Sequence, residues 1–159
     1  MRSMIVNRLA LVIATSSLAA CVSGGGIPPA PAPLAQNADE PALALLEYVL
    51  TGHFAAFGAN PPTTCAVLRP GPLSAQQEEA LITRFVRLAP ASRCVAEGES
   101  WRDAITGAPA QVVQLYDFSC RTSEQCSGWV AAAGTPVRYA MRFEDDAWRM
   151  IRDPRELAD

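Results

Sequence analysis

Five cysteines set the limits within which this 159-residue chain can fold. Four of them, Cys65, Cys94, Cys120 and Cys126, lie in its C-terminal part, and Cys21 stands apart at the end of an apolar run. Residues 1–20 have the three parts of an export signal: Arg2 and Arg8 supply positive charge, Leu9 to Ala14 begin an apolar stretch, and small residues lead up to Ala20. The uncharged run from Leu9 to Ala20 is 12 residues long, short of the roughly 18 a membrane-spanning helix needs. Behind Cys21, residues 22–40 read VSGGGIPPAPAPLAQNADE. Three glycines make this stretch flexible, and the alternating Pro-Ala that follows favours an extended chain. At about 3.1 Å per residue its outer reach is roughly 60 Å. It has no basic flanks, so it reads as a spacer and not as a ligand for an aromatic groove. The packed fold is therefore expected from residues 41–159.

Leu18-Ala19-Ala20-Cys21 resembles the lipobox of bacterial lipoproteins. In that class a diacylglyceryl group is attached to the cysteine sulfur and the leader is cut just before it. The resemblance implies that Cys21 is the lipidation site and that the mature protein starts there, anchored in a membrane. Val22, and not Asp, follows the cysteine, which by the same resemblance implies the outer membrane, with the domain facing the periplasm. Each buried methylene contributes about 0.8 kcal/mol, and one chain alone binds only marginally, so the two chains of a diacyl anchor suffice where one would not.

With Cys21 so assigned, an even number of cysteines remains, and in an oxidising compartment that pattern predicts two disulfides. Three connectivities are open. Cys120 and Cys126 are close in sequence, which favours a local bridge between them and leaves Cys65 with Cys94. The second bridge would close a loop of about 30 residues and stabilise the fold by about 3–4 kcal/mol on the chain-entropy account. The same four thiolates are poorly spaced for zinc, so no metal is expected.

A 119-residue remainder is long enough for one domain with its own core. Loss of Arg2 and Arg8 with the leader leaves eleven arginines against sixteen acidic residues, a formal charge of about −5. That balance gives no footprint for nucleic acid. Every basic residue is arginine, and the chain has no lysine.

Leu43, Leu46, Leu50, His53 and Phe57 recur at helical spacing, and Pro41 and Gly58 suit the two ends, so residues 41–58 are predicted as a helix. Residues 63–68 read as a strand. Ser74 and Gln77 form a capping-box pattern that opens a second helix, predicted to run to about Leu88. The short segment from Arg93 to Glu97 is β-compatible, and a crossover would lay it beside the first strand, bringing Cys65 near Cys94. Further strands are expected at residues 99–103, 111–120 and 128–133. In the second of these, Val112, Tyr116 and Phe118 share a face opposite Val113 and Leu115. Val137, Tyr139, Met141 and Phe143 alternate with polar or small residues, and a turn at Glu144-Asp145-Asp146-Ala147 leads into a closing strand carrying Trp148.

The sum is an α+β fold: two helices packed on one face of a curved, mostly antiparallel five- to six-stranded sheet, stapled by two disulfides. The terminal hairpin, with Tyr139, Met141, Asp146, Trp148 and Met150, resembles that of cone-shaped NTF2-like and cystatin-like domains. Together with Cys65 before a capped helix, Pro90-Ala91-Ser92-x-Cys94 and Thr106-Gly107-x-Pro109, it is similar to a group of small secreted bacterial domains. The likeness implies a fold and leaves activity open.

Catalytic patterns are scarce. Without lysine there is no Schiff-base or Ser-Lys chemistry, and neither a nucleophile elbow nor a phosphate-cradling glycine loop occurs. His53 is the single histidine, and it falls on the apolar stripe, where a hydrogen-bonded core or rim role outweighs a catalytic one. Arg138, Arg142, Arg149 and Arg152 define a basic patch suited to anionic sugars or lipid headgroups, if they are not simply a solvated face paired with Glu144, Asp146 and Asp153. Glu97, Glu99 and Asp117 are the carboxylates with any claim to acid–base work, and Trp101, Trp129, Trp148, Tyr116 and Tyr139 either line a pocket or pack in the core. The expectation is a non-enzymatic binding domain without a cofactor. Its partners would be the membrane, through the anchor, and an envelope protein or a small ligand. The alternatives are a ligand module with an apolar pocket and a hydrolase using His53.

Overall fold

The structure is a computed structural model and describes residues 30–58, 60–132 and 134–152. Cys21, the lipobox and most of the spacer lie outside the described residues. Helix α1 spans Pro41–Phe57, with proline in its first turn and Gly58 just past its end at a φ of 61°, a left-handed conformation that glycine adopts without penalty. Strand β1 (Thr63–Leu68) follows, then α2 (Ala75–Arg84), opened by the capping box of Ser74 and Gln77. A two-residue strand β2 (Leu88–Ala89), a 3₁₀ turn over Ala91–Arg93, and the hairpin β3 (Cys94–Glu97) and β4 (Ser100–Asp103) lead into the long β5 (Pro109–Thr122). Strands β6 (Gln125–Ala131), β7 (Val137–Glu144) and β8 (Ala147–Arg152) complete the sheet as a meander. At the last turn Asp145 and Asp146 both have positive φ, as a two-residue hairpin loop of the I′ kind requires.

The sheet is mixed and has eight strands, in the order β2-β1-β5-β6-β7-β8, with β3 and β4 joined through β4 to β5. The expected five to six is thus too few. One reason is α2, which stops at Arg84 and not near Leu88. Leu88 and Ala89 instead pair in parallel with Thr64 and Cys65 and become buried, which a continued helix would not let them do. The crossover partner of β1 is consequently β2; the segment expected there, β3, pairs with β4 alone. A second parallel pairing, β1 with β5, runs from Thr63 opposite Ala110 to Leu68 opposite Leu115. Because Ala110 pairs with Thr63 on one edge and with Trp101 on the other, β5 is the central strand at its start.

One core lies between the helices and the sheet. Leu45, Leu46 and Leu50 of α1 and Leu81 of α2 meet Val113, Leu115, Val130 and Met141 there. Leu45 is as fully buried as its stripe neighbours, because α1 is covered on two sides. Residues 31–37, counted above as spacer, lie along the helix. The Leu34 amide donates to Glu47 Oε2 at 2.8 Å, the Trp148 indole donates to the Asn37 carbonyl at 3.1 Å, Arg84 bonds the Ala32 carbonyl, and Ala35 is buried.

Phe118 belongs to this core too, beside Val113 and Leu115, and does not share the face of Val112 and Tyr116. The β5–β6 register shifts between Tyr116 and Ser119, and Asp117 takes a φ of 48°. The bulge turns Phe118 over to the helix side, and a second register shift follows between Cys120 and Thr122. Gly128 makes the room: a Cβ there would sit 2.7 Å from Phe118 Cδ2 and 2.9 Å from Leu115 Cδ1.

A second, smaller core closes the opposite face of the sheet at the β1 end. Cys65, Ala89 and Cys94 are buried with Trp101, Ala110 and Val112 against them, beneath the β3–β4 hairpin. Cys65 and Cys94 are bridged, with 6.2 Å between Cα atoms, and Cys120 is bridged to Cys126. Both predicted pairings are present.

Candidate functional site

Each singled-out residue has a definite place. His53 projects from α1 toward β1, where Nε2 lies 3.3 Å from Thr64 Oγ1. The Thr64 hydroxyl donates its own proton to the Pro62 carbonyl at 3.0 Å. With the hydroxyl proton directed to that carbonyl, the Nε2–H tautomer of His53 is the one that completes the Thr64 contact. Phe54 and Phe57 pack on the ring, and burial pulls its pKa below the ordinary value. Among the described residues no carboxylate is hydrogen-bonded to it. The arrangement positions α1 on β1 through a neutral imidazole.

Sequence reasoning passed over Asp103, a buried carboxylate whose two oxygens are both hydrogen-bonded. Its side chain is fully buried at the end of β4. One carboxylate oxygen accepts from Arg93 Nε at 2.9 Å and from the Ile105 amide at 2.9 Å; the other accepts from Arg93 Nη2 and from Thr63 Oγ1, both at 2.7 Å. The Arg93 pair, the Thr63 hydroxyl and the backbone amides of Ile105 and Thr106 hold its pKa well below the usual carboxylate range. An acid so satisfied has no proton to give and no lone pair to spare. It ties β1, the 3₁₀ turn, β4 and the loop of residues 104–107 into one unit. The signal was present, since an Asp whose side chain can cap the amides two and three residues on marks an Asx-type turn, but its partner Arg93 is reached only through the fold.

The other carboxylates do not converge. Glu97 is paired with Arg102 at the exposed hairpin, and Asp117 occupies the β5 bulge. No group of three or more metal-ligating side chains is found among the described residues.

The aromatic residues separate into three places. Trp101 packs in the small core. Tyr116 and Trp129, directly opposite on β5 and β6, stack at 6.4 Å with nearly parallel rings on the face away from the helices. Trp148 and Tyr139 lie on the helix side and border two adjoining concavities. The first, about 480 Å³, is lined mainly by apolar groups, among them Ala44, Tyr48, Phe85, Trp148 and Met150. Glu47, Thr51 and Arg84 supply its polar groups, and Arg84 Nε is 3.3 Å from Glu47 Oε1. The second, about 540 Å³, shares Tyr48 and Thr51 and continues past Val49 and His53 to Ala132 and Tyr139. Tyr48 stands between them, half exposed, its ring edge-on to Tyr139 at 5.9 Å.

On the far face, register places Arg138, Ala140 and Arg142 of β7 beside Arg149 and Ile151 of β8. Arg152 falls opposite Tyr139 and so belongs to the helix side; the basic patch holds three of the four arginines expected of it. A single residue of offset in a period of two decides this. A cleft of about 450 Å³ opens over this face, bordered by the Cys120–Cys126 bridge and by Ser119, Arg121, Gln125, Ser127, Arg138 and Arg142. Among the described residues Arg142 has an ion-pair contact with Glu144 at 3.9 Å, both side chains being more than half exposed. Such pairs contribute about 1 kcal/mol at most.

Compared with protein-family models, with curated proteins and with solved structures, the chain gives no match to any of the three.

Proposed function

We propose that this protein is a lipid-anchored lipoprotein of the bacterial envelope, attached through Cys21 to the outer membrane and facing the periplasm, whose domain is a binding module and not an enzyme. In shape it is taken to follow the NTF2-like and cystatin-like pattern implied by its terminal hairpin. All four domain cysteines are used in two disulfides, which supports an oxidising compartment and leaves Cys21 for the anchor. No helix of the described residues is long and apolar enough to cross a membrane.

The observation that carries the binding reading is the pair of apolar concavities beside α1. They combine aromatic walls with few polar groups, the usual make-up of a site for a small apolar ligand or for an apolar side chain of a partner. The apolar-pocket reading is thereby favoured over a hydrolase, since His53 borders the second concavity in contact with Thr64 and, among the described residues, with no carboxylate to orient it.

Two measurements test the proposal. N-phenyl-1-naphthylamine, a small apolar fluorophore, is expected to bind saturably to the full chain held in neutral detergent and to be excluded by Thr51→Trp, which fills the shared rim. Undiminished binding to that variant would remove the concavities from the account. Separately, fractionation of cells is expected to find the wild type with the outer membrane and to find Cys21→Ala uncut. A variant processed normally and just as membrane-bound would end the anchor reading.

A further inference from the structure

On the reading of the concavities as a binding site, we infer that residues 31–37 are a strap that forms one wall of the first concavity and closes on an uncharged apolar ligand held there.

Three observations lead to it. First, the strap is part of the site: Pro31, Pro33 and Ala35 line the same space as Tyr48, Phe85 and Trp148. Second, the side chains that hold the strap also line that space. The Leu34 amide donates to Glu47 Oε2 at 2.8 Å, Arg84 donates to the Ala32 carbonyl, and the Trp148 indole donates to the Asn37 carbonyl at 3.1 Å. Glu47 and Arg84 are themselves joined, with Oε1 3.3 Å from Nε, so one ion pair clasps the backbone on both sides of Pro33. Third, the strap lies outside the regular structure. It belongs to no helix or strand, Pro31, Ala32 and Pro33 are exposed, and Ala35 alone among residues 31–37 is buried. Such a stretch opens at a lower free energy than the core beside it.

Because the same groups line the site and hold the strap, occupancy and closure are coupled. An apolar ligand makes no claim on Glu47 or Arg84. It displaces water from beside them, and hydrogen bonds and ion pairs are stronger where the local dielectric is lower. It also packs against Pro33 and Ala35, contacts that are lost when the strap leaves. An anionic ligand would instead compete with Glu47 for Arg84 and loosen the clasp. The coupling is reciprocal: the factor by which docking of the strap raises ligand affinity is the factor by which the ligand favours docking.

The test follows hydrogen exchange at the Leu34 amide of the full chain in neutral detergent, with and without saturating N-phenyl-1-naphthylamine, against protein-free micelles as the blank. Exchange is expected to slow by about 5-fold or more with the probe bound. Leu34→Pro removes that amide at a residue outside the lining of the first concavity, and should weaken probe binding by about the same factor. The exchange arm uses the wild type, so it does not depend on how the variant folds. Saturable binding with exchange at Leu34 unchanged or faster, or with equal affinity in Leu34→Pro, overturns the strap and leaves the binding site standing. No saturable binding to the wild type removes both. The anionic analogue 8-anilinonaphthalene-1-sulfonate should bind more weakly and leave exchange at Leu34 unslowed. Equal affinity and equal slowing with that probe would overturn the selection of an uncharged ligand.

Discussion

The sheet face turned away from the helices is two surfaces, and each carries a disulfide beside it. At the β1 end the Cys65–Cys94 bridge is buried under the β3–β4 hairpin, with Trp101 and Val112 packed on it and the Asp103–Arg93–Thr63 node alongside. At the β8 end the Cys120–Cys126 bridge has one exposed cysteine, and the strands beyond it present arginines to solvent. The closed half spends its polar groups on each other, to the last acceptor of Asp103. The open half sets Arg142 directly across the ladder from Arg149, with Glu144 3.9 Å from Arg142. The difference teaches that the two bridges stand in unlike surroundings: one is covered by a packed hairpin, and the other borders an open, arginine-bearing face.

The contrast can be broken or sharpened by substitution. Removing the buried bridge with Cys65→Ala/Cys94→Ala opens a loop with a sequence separation of 29 and is expected to cost about 3–4 kcal/mol in chemical denaturation. Removing the hairpin bridge with Cys120→Ala/Cys126→Ala, where the separation is 6, should cost about 2 kcal/mol by the same relation. If the second loss matched or exceeded the first, the contrast between the two halves would not hold for their bridges.

Gly128→Ala tests the core directly behind the open half. A methyl group 2.7 Å from the Phe118 ring must displace it, and a cost of about 1–2 kcal/mol is expected from overpacking. A stability equal to wild type would mean that the bulge at Asp117 does not fix Phe118 where it is.

Two titrations follow from the shifted groups. His53 has its pKa lowered from 6.5 by burial, so the unfolded chain binds the proton more readily. Its contribution is full above pH 6.5 and is lost as the pH falls below that value. Asp103 has its pKa lowered from 3.8, and its contribution is full above that pH and lost on further acidification. Stability is therefore expected to decline in two separate steps on going down in pH, the upper one absent in His53→Gln. A single step unaffected by that substitution would contradict the placement of the ring.

The smallest effect has the opposite sign. Arg149→Gln relieves a like-charge pair directly across the ladder, so stability should rise by about 0.2–0.5 kcal/mol at low salt. A loss would show that the arginine already has a stabilising partner.

Much of the architecture was legible where the cause was local. The proline and glycine bounds of α1, the Ser74–Gln77 capping box and the alternation from Val137 to Phe143 are short-range signals, and each element formed where they stand. The disulfide pairing was also reached, although its route was not: Cys94 comes to Cys65 through the 3₁₀ turn after β2, and not by lying beside β1 as a strand. What stayed hidden depends on partners far along the chain. Leu88 reads as the continuation of a helix until β1 offers it a ladder. Phe118 reads with Val112 until Asp117 inserts one residue. Ala35 sits among spacer prolines and alanines, and only the flank of α1 makes it core. The candidate sites were less legible than the fold. The arginines could be counted from the alternation, but their cleft, and the concavities around Tyr48, are spaces between elements that no single stretch encodes.

The account stands on Cys21 as the anchor and on the other four cysteines as two closed bridges. An intact-mass and peptide-mapping measurement on protein extracted from membranes without reduction tests this directly. The account predicts a chain beginning at Cys21 that carries a diacylglyceryl group, with Cys65 linked to Cys94 and Cys120 to Cys126. A chain that retains residues 1–20 with an unmodified Cys21, or free thiols at Cys65 and Cys94, would contradict it.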